Sequence, residues 1–335
     1  MELLSNYIRE LRSAALDGWD RFWFTPAPAH TLGLVRILAG AMMFYTHLVW
    51  TLDLDAFFGP QSWLDRAAVA ALQADSSAWS PLWLCEPRVV LPAVHLTALI
   101  VFACLSLGVW TKTASILSFV LVVSYAHRAP LAMFGLDQIN AMLALYLAIG
   151  PAGDALSIDH WRARHWSVVE PHAPPSVSAN ISIRLIQLHL CVIYLFAGLS
   201  KLQGPAWWNG SALWYAFANL EYQSLNMTWT AHHPWLVNLL SHTVLAWEIA
   251  YVALVWPRLT RPLVLAMAVP LHMGIALCLG MSTFGLVMLI ANVAFVDPAL
   301  IAAMVHWRQA APRQIRMARV PAPHARPATQ VRIRH

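Results

Sequence analysis

Six side chains in the segment NISIRLIQLHLCVIYLFAGLSKLQGPAWWNG are set to work together. Arg184, Gln187, Cys191, Tyr194, Gly198 and Lys201 recur at spacings of 3, 4, 3, 4 and 3 residues. That rhythm places all six on one stripe of an α-helix. The segment is otherwise hydrocarbon-like, so lipid cannot be the partner of a polar stripe; it should face the protein interior or a wet cavity. The Lys201 amine then stands at one mouth of that stripe, where acid–base chemistry would begin. The competing reading is a lysine that snorkels to the headgroups, a common fate at a helix end.

Other polar residues fall inside apolar stretches. Arg36, Gly40, Met43 and His47 share one face; Asp137 and Asn140 lie one turn apart; Asn238 and His242 stand at i, i+4, with Glu248 further along; and His272 follows Pro270 closely. Buried charges tend to pair, so Arg36 and Arg184 are expected to pair with Asp137 and Glu248 and hold helices in register. His47 and His95 read as hydrogen-bonded core histidines, and His242, Glu248 and His272 as structural intramembrane polar groups. No HxxxH or HxxE spacing joins the histidines, so no metal is expected. The four cysteines are scattered, with no CxxC pair. Phosphate loops, nucleophile elbows and haem motifs are not found.

The elements that must position these groups are membrane helices. Of 335 residues, 59% are hydrophobic and 11% charged, against about 25% charged in a soluble domain. Trp, which favours the lipid–water interface, occurs 17 times. The predicted fold is all-α, a polytopic transmembrane bundle of about eight spans: roughly 30–50, 89–109, 112–127, 134–150, 181–200, 235–256, 261–279 and 282–297. The third, fourth and eighth are shorter than the roughly 20 residues of a perpendicular span. Residues 1–29 form a cytoplasmic amphipathic surface helix, with Leu4, Ile8, Leu11, Ala15, Trp19 and Phe22 on one face. Residues 301–335 form a basic, disordered cytoplasmic tail.

Charge placement sets the orientation. Arg9, Arg12, Arg21, Lys112, Arg162, Arg164, Arg258, Arg261 and the tail arginines fall on one side of this span map. The positive-inside rule makes that side cytoplasmic, with both termini there and Lys201 on the outer face. The net charge of +5 therefore belongs with anionic lipid headgroups and not with nucleic acid. Two Trp-rich outer loops, 51–88 and 201–234, look able to cap the bundle over a pocket suited to a lipid-soluble ring.

The phrase FAGLSKLQGPAWWNG resembles the AG-x-x-KL-x-x-x-W element of vitamin K-dependent gamma-glutamyl carboxylase and of the broader horizontally transferred transmembrane (HTTM) domain family. FFGPQSWL and HRAPLAMFGLDQINAMLALYLAIGPAGDALSID look like further family segments, and the resemblance covers roughly residues 15–300. It implies an HTTM-like domain over 30–300, a bacterial inner-membrane location and a catalytic base at Lys201. It also implies a quinone or hydroquinone cofactor of vitamin K type. Where the family enzyme carries a histidine this chain reads GLDQIN, and Asp137, the nearest ionisable group, joins Lys201 as a catalytic candidate. Gln187, Tyr194, Trp207 and Trp208 are the candidate ring-binding residues. Arg184 lies about 25 Å deeper along the helix than Lys201, which suits a scaffold. Three function classes follow: a carboxylase-like lyase or oxidoreductase with Lys201 as general base; a non-enzymatic membrane protein binding a lipid, quinone or partner; and a transporter, for which no inverted repeat is visible.

Overall fold

The computed structural model describes residues 2–60, 62–84, 90–166 and 174–310, and these are helical with no strands among them. In chain order the α-helices are α1 (Glu2–Phe24), α2 (His30–Trp50), α3 (Leu54–Phe58), α4 (Arg66–Leu72), α5 (Val90–Leu107), α6 (Thr111–Arg128), α7 (Gly135–Ile149) and α8 (Ile158–Trp166). They continue as α9 (Val177–Lys201), α10 (Pro205–Trp208), α11 (Ala212–Phe217), α12 (Pro234–Leu254), α13 (Arg261–Cys278), α14 (Ser282–Asn292) and α15 (Pro298–Ala310). Start signals are written locally. Ser176 caps α9 by accepting from the Ala179 amide at 3.2 Å, and α10, α12 and α13 carry proline in their first turn, where a missing N–H costs nothing.

The helix α2 is central, packing on α5, α7, α9, α14 and α15. Its Leu32, Val35, Ala39 and Met43 are fully buried, as are Phe102 and Leu105 of α5, Leu143 and Leu147 of α7, and Ile186 and Leu190 of α9. Sequential long helices run antiparallel: Lys112 at the start of α6 donates to Ala148 O near the end of α7 at 2.5 Å, and Ser182 early in α9 donates to Tyr146 O late in α7 at 2.8 Å. Small residues set the close approaches. A Cβ on Gly40 would lie 2.6 Å from the Ser106 amide nitrogen of α5, and one on Gly198 would lie 2.8 Å from Ile249 Cγ1 of α12. Without a hydrophobic force between helices in lipid, such close contact is a main source of helix association.

The outward faces stay apolar, with Leu96, Ile100, Phe196, Leu239, Leu263 and Leu277 exposed, as lipid contact requires. The expected count of about eight spans is not supported. Among the described residues five helical stretches are long and apolar enough to cross a membrane: His30–Phe58, Val90–Leu107, Val177–Lys201, Pro234–Leu254 and Arg261–Cys278. The pair Ser282–Phe295 and Pro298–Met304, bent by 105°, makes a sixth if it counts as one broken span. The other predicted segments do form helices, but α6 carries Lys112, several serines, His127 and Arg128. The 15-residue α7 reaches only about 22 Å, short of a core about 30 Å thick.

The N-terminal helix forms as expected. Its Leu4, Ile8, Leu11 and Trp19 remain exposed, while its end is tied to α9 by Asn180 Nδ2, which donates to Phe22 O and Trp23 O at 2.8 and 2.9 Å. In the expected tail, residues up to Ala310 belong to α15, so the helix runs ten residues past the sequence boundary; 311–335 lie outside the described residues.

Candidate functional site

The polar stripe of α9 faces α12, α13 and α14, and its members have unequal roles. At the far end Arg184 donates from Nη1 to Gln187 Oε1 at 3.0 Å, and Gln187 Nε2 donates to Ala294 O at 2.7 Å. In the middle Tyr194, 2% exposed, joins a buried network. Its hydroxyl lies 2.7 Å from His272 Nε2 and accepts from Asn292 Nδ2 at 3.0 Å. Asn292 Oδ1 in turn accepts from Tyr251 OH at 2.8 Å. Because Asn292 fixes the direction of two of these bonds, the Tyr194 proton is free to point at His272. The His272 Nδ1 atom is buried without a hydrogen-bond partner among the described residues. Trp247 closes the cluster edge-on to both tyrosines, at 4.9 Å from Tyr194 and 5.2 Å from Tyr251.

Two turns beyond Tyr194 the stripe ends in an ion pair. Lys201 Nζ sits 2.8 Å from both carboxylate oxygens of Glu248 and hydrogen-bonds to Oε1. Glu248 Oε2 shares the charge contact but receives no aligned hydrogen bond, although it is buried. Gly198 makes the pair reachable, since its missing side chain lets α9 lie against Glu248 and Ile249. The Trp207 ring centroid stands 5.3 Å from Nζ, within range of a cation–π contact.

The pair is roofed. Glu248 lies fourteen residues into α12, about 21 Å from its N-terminus. The chain after Lys201 runs back along that stretch: Asn238 Nδ2 donates to Asn209 O at 3.0 Å, and the Leu213 amide to Ser241 Oγ at 3.1 Å. Lys201 ends its own helix, yet it is sheltered by α10, α11 and the first half of α12. The lysine and glutamate side chains are 24% and 12% exposed.

Other sequence candidates fall elsewhere. Asp137 does not meet Arg36 or Lys201; its carboxylate accepts from the Phe134 amide at 3.1 Å and caps α7. Among the described residues Arg36 pairs with no carboxylate, and donates instead to Leu105 O, Ser106 O and Leu156 O at 2.7, 2.9 and 2.6 Å. Glu248, expected opposite an arginine, belongs to Lys201. Trp208 turns its indole to Leu202 O at 2.7 Å, and the exposed His242 lies 3.3 Å from Trp208 O. Gln187 lies fourteen residues from Lys201, about 21 Å along the helix. Of the ring-binding candidates only Trp207 touches the lysine. Clefts of about 690 Å³ (Lys112, Asp154, His160) and 450 Å³ (Ser211, Trp214, Asn238) open at two other places. Among the described residues no three His, Cys, Asp or Glu side chains converge to hold a metal.

Sequence reasoning missed Trp247, Tyr251 and Asn292. A signal existed for the last, since Asn292 is a lone amide inside an apolar segment. Tyr251 stands three residues after Glu248, so periodicity would have placed it on that face, and Trp247 stands four residues before Tyr251, one turn away.

A family model of the HTTM domain matches residues 24–299. The chain belongs to the HTTM domain family. No curated protein and no solved structure matched it. The HTTM match contains α2 to α14 and thus the whole stripe, the ion pair and the buried network. It also contains the two blocks FFGPQSWL and HRAP, which meet in space. The buried Arg128 donates to Gly59 O at 2.7 Å, Ser62 Oγ at 2.8 Å and Leu64 O at 3.2 Å. Phe58 of the first block stacks on Trp50 at 4.5 Å. One arginine therefore holds an HTTM loop over the end of α2.

Proposed function

We propose that this HTTM protein is an integral membrane enzyme that takes a quinone-type ring beside Lys201 and uses the Lys201–Glu248 pair as its proton acceptor. The observation that carries this reading is the ion pair itself, held at 2.8 Å within the membrane-spanning helices and roofed by α10–α12. An ion pair is costly to bury, and its persistence inside a membrane bundle favours use. The residues present fit such a ring. Trp207 supplies a flat wall, Lys201 a donor for a ring oxygen, and Glu248 Oε2 a buried acceptor with no aligned hydrogen bond. A hydroquinone, when bound, supplies a weakly acidic hydroxyl and two reducing electrons. Lys201 acts as a base once its ammonium proton has passed to Glu248, leaving a neutral amine to take the hydroxyl proton. Tyr194 and His272 lie two turns further in and hold the inner wall of α9 against α13.

A second reading rests on the same pair: Lys201 and Glu248 tie α9 to α12 and do no chemistry. Mass spectrometry of small molecules retained by the purified protein, before and after loading with a naphthohydroquinone, separates the two. A quinone should be retained by the parent chain, with at least about tenfold less in Lys201→Ala and Glu248→Gln, each of which removes a charge-assisted contact. Lys201→Arg keeps the charge, and so the tie, but supplies no neutral amine. It should fold normally and lose proton uptake on loading. Equal quinone retention in the parent and Lys201→Ala proteins would sink the proposal and leave the structural tie.

A further inference from the structure

At the opposite end of the α9 stripe two arginines gather at Trp256, with no acid beside them among the described residues. Arg184 has spent Nη1 on Gln187, and its Nε is buried with no partner. Arg261, the first residue of α13, donates from Nε to Val255 O at 3.0 Å and from Nη2 to Trp256 O at 2.7 Å. Neither guanidinium has a carboxylate within 4.0 Å among the described residues, and both lie at Trp256, one beside its ring and the other on its carbonyl. Each fork therefore keeps N–H donors, and two like charges gather at one half-buried residue. Arg258 adds an exposed positive charge one turn before Arg261.

We propose that Arg184 and Arg261 bind the phosphate of an anionic membrane lipid. Paired guanidinium forks match phosphate oxygens bidentately, and a phosphate between them turns repulsion into attraction. The walls say that the anion carries chains. The Phe22 ring centroid lies 4.4 Å from the Arg184 guanidinium carbon, and the Trp256 centroid lies 5.9 Å from it. Leu259 and Leu263, two residues to either side of Arg261, are 86% and 72% exposed. Aromatic rings beside arginines, with bare leucines adjoining, fit a headgroup at the interface with acyl chains against α13. Free phosphate would gain nothing from that apolar rim.

Native mass spectrometry of the full chain, released from bilayers containing equal phosphatidylcholine and phosphatidylglycerol of the same chain lengths, tests the site without any substitution. Phosphatidylglycerol should be retained in preference; equal retention overturns the proposal. Arg184→Gln and Arg261→Gln should each weaken phosphatidylglycerol binding about fivefold, and together about 25-fold. Arg184→Lys and Arg261→Lys, which keep the charge and spare the fold, should keep part of the preference. Unchanged binding in folded glutamine variants overturns the assignment to these arginines. Saturable stabilisation by inorganic phosphate in detergent, without a lipid preference, overturns the lipid as ligand.

Discussion

Arg36 is fully buried, and its guanidinium closes the end of α5. Leu105 O and Ser106 O are last-turn carbonyls; Leu105 O accepts from the Gly108 amide at 3.2 Å, and Arg36 donates to both and to Leu156 O. A cation at a helix C-terminus also meets the negative end of the dipole. Gly108, at φ +71°, keeps the space open, because any Cβ there would run into the Arg36 guanidinium. Replacing Arg36 with Met should therefore strand the Ser106 and Leu156 carbonyls, leave Leu105 O with the Gly108 amide alone, and destabilise the protein by about 3 kcal/mol or more. Arg36→Lys should recover only part, since one ammonium cannot reproduce the fork. Reversible unfolding in mixed micelles reads this directly, and a loss below about 1 kcal/mol for Arg36→Met would refute the role. The residue also shows what the sequence could and could not say. That a charge on an apolar helix must be satisfied inside the protein was legible from Arg36, Arg184 and Glu248. Who satisfies it was not, because three backbone carbonyls leave no mark in a sequence and can replace the expected carboxylate.

Helix α6 shows how an element is held at its end. Its N-cap, Trp110, lies in the left-handed region at φ 46° and offers no capping side chain. The cap comes from Asp159 of α8, whose carboxylate accepts from the Trp110 amide at 3.1 Å and from the Thr111 amide and hydroxyl at 2.8 Å each. Burial pushes the Asp159 carboxyl up, but the bonds from Thr111 and Trp110 outweigh it and hold the carboxyl below its ordinary value. A depressed carboxylate contributes stability that is present above its unfolded pKa of about 3.9 and lost as pH falls through the folded value. Thermal melts should therefore drop more steeply below about pH 4 in the parent than in Asp159→Asn, which should also be less stable near neutrality. Superimposable acid limbs would rule the cap out. Element positions were largely legible, since helical periodicity and apolar runs located α2, α5, α9, α12 and α13. The span count was not, because it rested on short apolar runs such as α6 and α7, and a short run does not say whether its helix crosses the membrane or turns back within it.

For the whole molecule, the antiparallel order of the long helices collects one set of ends on each face. One face gathers the starts of α2, α6 and α9, the Val255–Arg261 turn and α8; the other gathers the end of α6, the 51–84 segment and the roof over Lys201. Gln73 Nε2 on the second face donates to His127 O near the end of α6 at 3.1 Å, whereas Arg184 and Trp256 mark the first. The first face holds Lys112, Arg162, Arg164, Arg258 and Arg261, so on the positive-inside rule we expect it to be the cytoplasmic one. That orientation would put the Lys201–Glu248 roof outside and the Arg184–Arg261 pair against the inner leaflet. Single cysteines introduced at Ser76 and Leu259 into a protein whose four native cysteines are replaced should label oppositely. A membrane-impermeant maleimide should reach Ser76→Cys in intact cells and Leu259→Cys only after permeabilisation. The reverse pattern would turn the molecule over, and the proposed quinone-type ring would then have to reach Lys201 from the cytoplasmic side.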